Sequence, residues 1–160
     1  MTQEERMLLI KDLSARLPYA VTVEHTSGFR GTLHDIAIHH MYDDNDNVYD
    51  AICSTDFFGD GDSIYIEYFK PYLFPLSSMT EEQMEELKEL CNMYTPDDDY
   101  HPYAYKGIEV LYKHVLDDNY KFNFKIDVID WFNKNHFDYR GLIEKGLAID
   151  ATGMNLYKFQ

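Results

Sequence analysis

Tyr19–His25 reads YAVTVEH and Gly31–His39 reads GTLHDIAIH. Val21 and Val23 alternate with polar neighbours in the first stretch. Leu33, Ile36 and Ile38 do so in the second, with one slip in phase. A period of two puts every second side chain on one face, which is the pattern of a strand with one buried side. A one-residue slip inside such a run marks a β-bulge. Gly28 lies between the two stretches and suits a turn, so they predict an antiparallel hairpin. Val48–Ser54 and Ser63–Phe69 extend the pattern, separated by the turn-forming runs Asp43–Asn47 and Gly59–Asp62. Residues 19–70 therefore predict a curved antiparallel sheet of four or five strands, at its limit a small partial barrel.

Helical patterns flank this region. Thr2 with Glu5 three residues later has the form of a capping box, in which each side chain satisfies a free N–H of the first turn. Leu9, Ile10, Leu13 and Leu17 recur at helical spacing and Pro18 closes the element, predicting a helix over residues 2–17. Pro71 and Pro75 bracket Tyr72, Leu73 and Phe74. Proline lacks the ladder donor, so this segment predicts an edge strand or an extended connector. Thr80 with Gln83, or Ser78 with Glu81, caps a second helix over residues 78–94. Met84, Leu87, Leu90, Cys91 and Tyr94 form its apolar stripe, and Glu81, Glu82, Glu85, Glu86 and Glu89 its outer face.

Residues 95–107, TPDDDYHPYAYKG, have the composition of a loop. Residues 108–149 predict mainly helix. One helix covers Ile126–Asn135, with Val128, Ile129, Trp131 and Phe132 inward. A short one covers Tyr139–Lys145, opened by Asp138 and closed by Gly146 in a left-handed conformation with Leu147 folding back. Residues 150–160 are expected to be a tail. The whole predicts one α+β domain, its sheet packed with an N-terminal helix and a C-terminal helical part. A chain of 160 residues is of ordinary size for one domain.

Charge limits the functions open to it. There are 14 basic and 29 acidic side chains, for a formal net charge of −15. That charge opposes direct nucleic-acid binding and attachment to an anionic membrane, and suits solubility, a basic protein surface or a divalent cation. Between Arg30 and Lys70 there is no Lys or Arg. Asp35, Asp43, Asp44, Asp46, Asp50, Asp56, Asp60, Asp62 and Glu67 fall in that interval. Cys53 and Cys91 stand far apart with no CxxC, so neither a disulfide framework nor a thiolate metal site is indicated. The opening MTQEERMLLIKDL has no basic, then apolar, signal pattern, and no apolar run reaches the length of a membrane span; a cytoplasmic location is expected.

The candidate site residues lie in the acidic loops. Asp43, Asn45 and Asn47 have the spacing of the first ligands of a calcium loop. Val48 stands where that loop needs glycine, however, and Ser54 where it needs a bidentate glutamate. Aspartate and asparagine are also what a hairpin tip selects, and that reading is preferred here and for Asp60 and Asp62. His34, Asp35, His39 and His40 resemble an acid–base or metal cluster. An odd separation on a strand, however, points His34 and His39 to opposite faces. Tyr100, Tyr103 and Tyr105, beside Asp97, Asp98 and Asp99, form either a contact surface or a cover over the core. No nucleophile elbow, phosphate loop or dinucleotide fingerprint is present, so no catalytic residue and no cofactor are expected.

KPYLFPLSSMTEEQ (Lys70–Gln83) and HFDYRGLIEKGLAI (His136–Ile149), with the helix and LPY turn of Lys11–Tyr19, resemble a family of small uncharacterised proteins common in gut-anaerobe genomes, their prophages and mobile elements. The resemblance carries no site residue across. The leading expectation is a non-catalytic binding or accessory protein. It would meet a basic protein surface through Asp43, Asp44, Asp46, Asp60, Asp62, Tyr100, Tyr103 and Tyr105. The alternatives are a divalent-metal module using the aspartates of residues 43–62, with Asp43, Asn45 and Asn47 as candidate ligands, and an enzyme of unrecognised type drawing on His34, His39, His101, His136 and the acids.

Overall fold

The computed structural model describes residues 1–42, 48–55, 64–92 and 122–157. The chain divides into two compact units, Met1–Leu73 with Arg140–Gln160, and Phe74–Tyr139.

The first unit is an α+β layer. Helix α1 spans Gln3–Arg16. It opens on the expected capping box: the Glu5 N–H donates to Thr2 Oγ1 at 3.2 Å and the Thr2 N–H to Glu5 Oε2 at 2.7 Å. The second of these bonds holds the Glu5 carboxyl below its ordinary pKa, because a carboxylate that accepts an N–H is favoured in its charged form. The helix ends where Pro18 enters a 3-10 turn, Leu17–Tyr19, after which Ala20 takes a left-handed φ of 52°.

The strands are β1 (Thr22–His25), β2 (Arg30–Tyr42), β3 (Val48–Thr55), β4 (Ile64–Tyr65), β5 (Phe69–Leu73) and β6 (Ile149–Asp150). Their order is β4-β3-β2-β1-β5-β6. The sheet therefore ends at two edges, and among the described residues it is an open sheet, not a barrel. Every pairing is antiparallel except β5 with β6, which is parallel. Four or five antiparallel strands were expected; the sixth arises from Ile149–Asp150, inside the stretch read as helix and tail. Two residues carry no period, and their partner lies far away in sequence. The anticipated bulge is present, since the β2–β3 register shifts between Leu33 and Asp35. A second shift falls between Ile38 and Met41.

Leu9, Ile10 and Leu13 of α1 pack with Val21, Val23, Leu33, Ile66 and Phe69 in one core. At the other end Leu73 packs with Leu142, Leu147 and Ala148. Residues 140–147 form turns in place of the expected helix, yet the predicted closure is there. Gly146 has φ 68°, its N–H donates to the Ile143 carbonyl at 3.0 Å, and the Leu147 N–H reaches the Leu142 carbonyl at 2.9 Å. This is the Schellman pattern, complete with its apolar contact between Leu142 and Leu147.

Pro71 is neither in an edge strand nor in a connector, because β5 is paired on both sides. Val21 and His25 turn their backbone groups towards the β1–β2 hairpin, in the bonds Leu33 N–H to Val21 carbonyl and His25 N–H to Phe29 carbonyl. By parity Val23 does the same, so the Val23–Pro71 pair is one that exchanges no ladder bonds. A missing N–H costs nothing towards β1 at that register.

The second unit holds α2 (Glu81–Asn92) and α3 (Phe122–Lys134). Thr80 and Gln83 form the second capping box, with Gln83 N–H to Thr80 Oγ1 at 3.2 Å and Thr80 N–H to Gln83 Oε1 at 3.0 Å. Leu87, Val128, Phe132, Phe137 and Tyr139 are its core, flanked by Met84, Leu90, Ile129 and Trp131. The Trp131 ring stacks on Phe137 at 5.6 Å between centroids, and Phe132 on Tyr139 at 5.5 Å.

Candidate functional site

Asp43, Asp44, Asn45, Asp46, Asn47, Asp60, Asp62, Tyr100, Tyr103, Tyr105 and His101 lie outside the described residues. His34 and Asp35 are exposed on β2, and His136 is buried in the second unit. The β2 register shifts fall at His34 and across His39–His40, so both bulges are occupied by histidine. Among the described residues no group of three or more His, Cys, Asp and Glu could hold a metal ion.

Three polar arrangements stand out among the described residues. The first is the outer face of α2, where Glu81, Glu82, Glu85, Glu86 and Glu89 are all exposed. Inward placement of Met84, Leu87 and Leu90 forces these intervening positions outward. Lys88 is spent on Glu85, its Nζ 2.9 Å from Oε2. Trp131 Nε1 donates to Glu86 Oε2 at 3.3 Å, which fixes one carboxylate against α3. Among the described residues the face is a ridge of negative charge with one counter-ion, Lys88.

The second lies on β1, β2 and β5. Glu24 stands across from Arg30 on one side and Lys70 on the other. Its carboxylate accepts from the Tyr72 hydroxyl and from Arg30 Nε at 2.8 Å, while the Arg30 guanidinium lies 5.0 Å over the Tyr72 ring. The Tyr72 bond, then the Arg30 bond, hold Glu24 below the ordinary carboxylate range. Burial, then the bond to Glu24, push the Tyr72 phenol up to about 12. A carboxylate kept charged and a phenol kept neutral are both poor proton shuttles near neutrality. The geometry holds a proton in place and does not move it.

The third is inside the first unit. Asp12 and Arg16 have no exposed surface. Arg16 grips Asp12 with both arms of its fork, Nε to Oδ2 at 2.7 Å and Nη2 to Oδ1 at 3.0 Å. Arg140 Nη1 adds a bond to Oδ1 at 2.9 Å and one to the Lys11 carbonyl at 3.4 Å. Sequence reading missed this cluster. The signal was available: Asp12 and Arg16 fall three and seven residues after Leu9, on its own helical face, and four apart from each other.

No family model, no curated protein and no solved structure matches the chain. No helix among the described residues is long and apolar enough to cross a membrane.

Proposed function

We propose that this chain is a non-catalytic binding or accessory protein that docks on a basic protein surface. The observation that carries the reading is the α2 ridge, where among the described residues five exposed glutamates face one lysine already engaged. Like charges on neighbouring turns of a helix cost a few tenths of a kcal/mol per pair, a cost that an opposing basic surface removes. Complementary potential of this kind governs encounter rate and partner choice. The acid and tyrosine residues named from the sequence are further candidates for contact with such a partner, and the motif resemblance suggests a mobile-element setting.

The test compares the native chain with an E81Q/E82Q/E85Q/E89Q variant as bait for basic proteins, at low and at physiological salt. The native bait should retain a defined partner whose capture weakens with salt, and the variant should lose it. Equal retention by both, or none by either, overturns the proposal. Glu86 is left intact so that its bond from Trp131 survives.

A further inference from the structure

Strand β4 ends at Tyr65 and passes into a 3-10 turn, Ile66–Tyr68. Three residues per turn set positions i and i+3 above one another, so Tyr65 and Tyr68 share a side that Ile66 and Glu67 leave. Ile66 enters the core with Leu9 and Phe69, and Glu67 meets Arg6 of α1. Tyr65 and Tyr68 stay on the surface, 41% and 43% exposed, with ring centroids 6.4 Å apart and planes tilted by 52°.

Tyr68 is backed from inside. Its ring lies 5.9 Å from that of His25, which meets the buried Phe69 edge-on at 5.4 Å. The His25 ring is held in turn, because the Ser27 N–H donates to its Nδ1 at 3.2 Å. A row of rings thus runs from the core outward and ends in two tyrosines that meet water.

Charge narrows what these rings can receive. Both fall between Arg30 and Lys70, an interval with many acids and no Lys or Arg. A net charge of −15 opposes a second copy of the chain, a nucleic acid and an anionic membrane alike. A cation is attracted twice, by that charge and by the electron-rich face of each ring. Guanidinium suits best, being planar, weakly hydrated and able to stack on aromatic faces. The chain makes this contact internally, where Arg30 lies 5.0 Å over the Tyr72 ring.

We propose that Tyr65 and Tyr68 form a platform for arginine side chains of a partner protein, held by cation–π contacts. The platform rests on the preceding reading for the existence of a basic partner.

The test titrates the full chain with two capped peptides, tetra-arginine and its neutral isostere tetra-citrulline, and follows the Tyr65 and Tyr68 ring protons by NMR. Tetra-arginine should shift both rings saturably, and tetra-citrulline should bind about tenfold or more weakly. Y65F/Y68F keeps the ring faces and should bind as the native chain does. Y65L/Y68L keeps apolar bulk without the faces and should bind about tenfold more weakly, read at the Ile66 and Phe69 amides. The E81Q/E82Q/E85Q/E89Q chain should show the native ring shifts, which separates this site from the α2 ridge. Ring shifts without capture of any basic protein support the arginine site and count against the ridge; capture without ring shifts does the reverse. No ring shift in the native chain, equal binding of tetra-citrulline, undiminished binding by Y65L/Y68L, or loss in Y65F/Y68F overturns the proposal.

Discussion

A carboxylate without exposed surface must shed its charge or find partners, because desolvation of an unpaired ion costs several kcal/mol. Asp12 has found two guanidiniums, one of them bidentate. Removing one member of a buried pair strands the other, at a cost of about 3–5 kcal/mol. Arg16→Leu should therefore destabilise the chain by that order in urea unfolding, whereas Arg30→Ala, at a half-exposed pair, should cost under about 1 kcal/mol. Equal losses would show that burial of the Asp12 pair is not what matters. The Glu24–Tyr72 pair makes a different prediction. Tyr72→Phe removes the largest influence depressing Glu24, so the Glu24 carboxyl should titrate nearer its ordinary value of 4.5, as followed by carbon-13 NMR. The signs of the two groups are opposite. Glu24 is depressed, so its contribution to stability is present above its ordinary pKa and is lost as pH falls through the folded value. Tyr72 is raised, so its contribution is complete below 10.0 and is lost as pH climbs from there to about 12. Tyr72→Phe should flatten the alkaline limb of the stability curve over that window.

Helices α1 and α2 begin with the same device, a threonine and a long polar side chain three residues later that satisfy each other's N–H groups. Thr2→Ala and Thr80→Ala should each lower stability by about 1 kcal/mol, measured as a shift in denaturant midpoint without a change in slope. An unmoved midpoint in both would mean that the ends fray in the native chain. These boxes were readable in the sequence because every participant lies within one helical turn. The Schellman closure at Gly146 was readable for the same reason, although the turns before it did not become a helix. Strand β6 was not readable, because it depends on β5, far away in the chain, and a two-residue strand leaves no period. Pro71 misled for a related reason: its tolerance depends on which register position it occupies, and only the pairing reveals that. Of the candidate site, the acidic face of α2 was legible from helical spacing. The buried Asp12–Arg16 pair is legible from the same spacing, as two opposite charges four residues apart on the apolar face of α1. Asp43, Asp44, Asp46, Asp60, Asp62, Tyr100, Tyr103 and Tyr105 stand out by composition alone and lie outside the described residues.

At the scale of the molecule the two units differ in how the chain supplies them. Phe74–Tyr139 is one continuous piece, while the sheet-bearing unit is built from Met1–Leu73 and Arg140–Gln160. Its six-stranded order reaches completion only with β6, and its interior charge cluster only with Arg140, 128 residues from Asp12. That separation turns a static contact into a matter of timing. On a ribosome adding roughly 5–20 residues per second, α1 and the first five strands emerge several seconds before Arg140 does. Through that interval Asp12 has only one of its two arginines, and Leu73 lacks the Leu142 and Leu147 side chains that cover it. Nascent chains stalled just short of Arg140 should be cut by protease within Met1–Leu73, and chains carried past Tyr157 should resist. Equal resistance of both would mean that the first segment matures alone. The late arrival of a single guanidinium thus makes the vectorial order of synthesis part of how this protein is made.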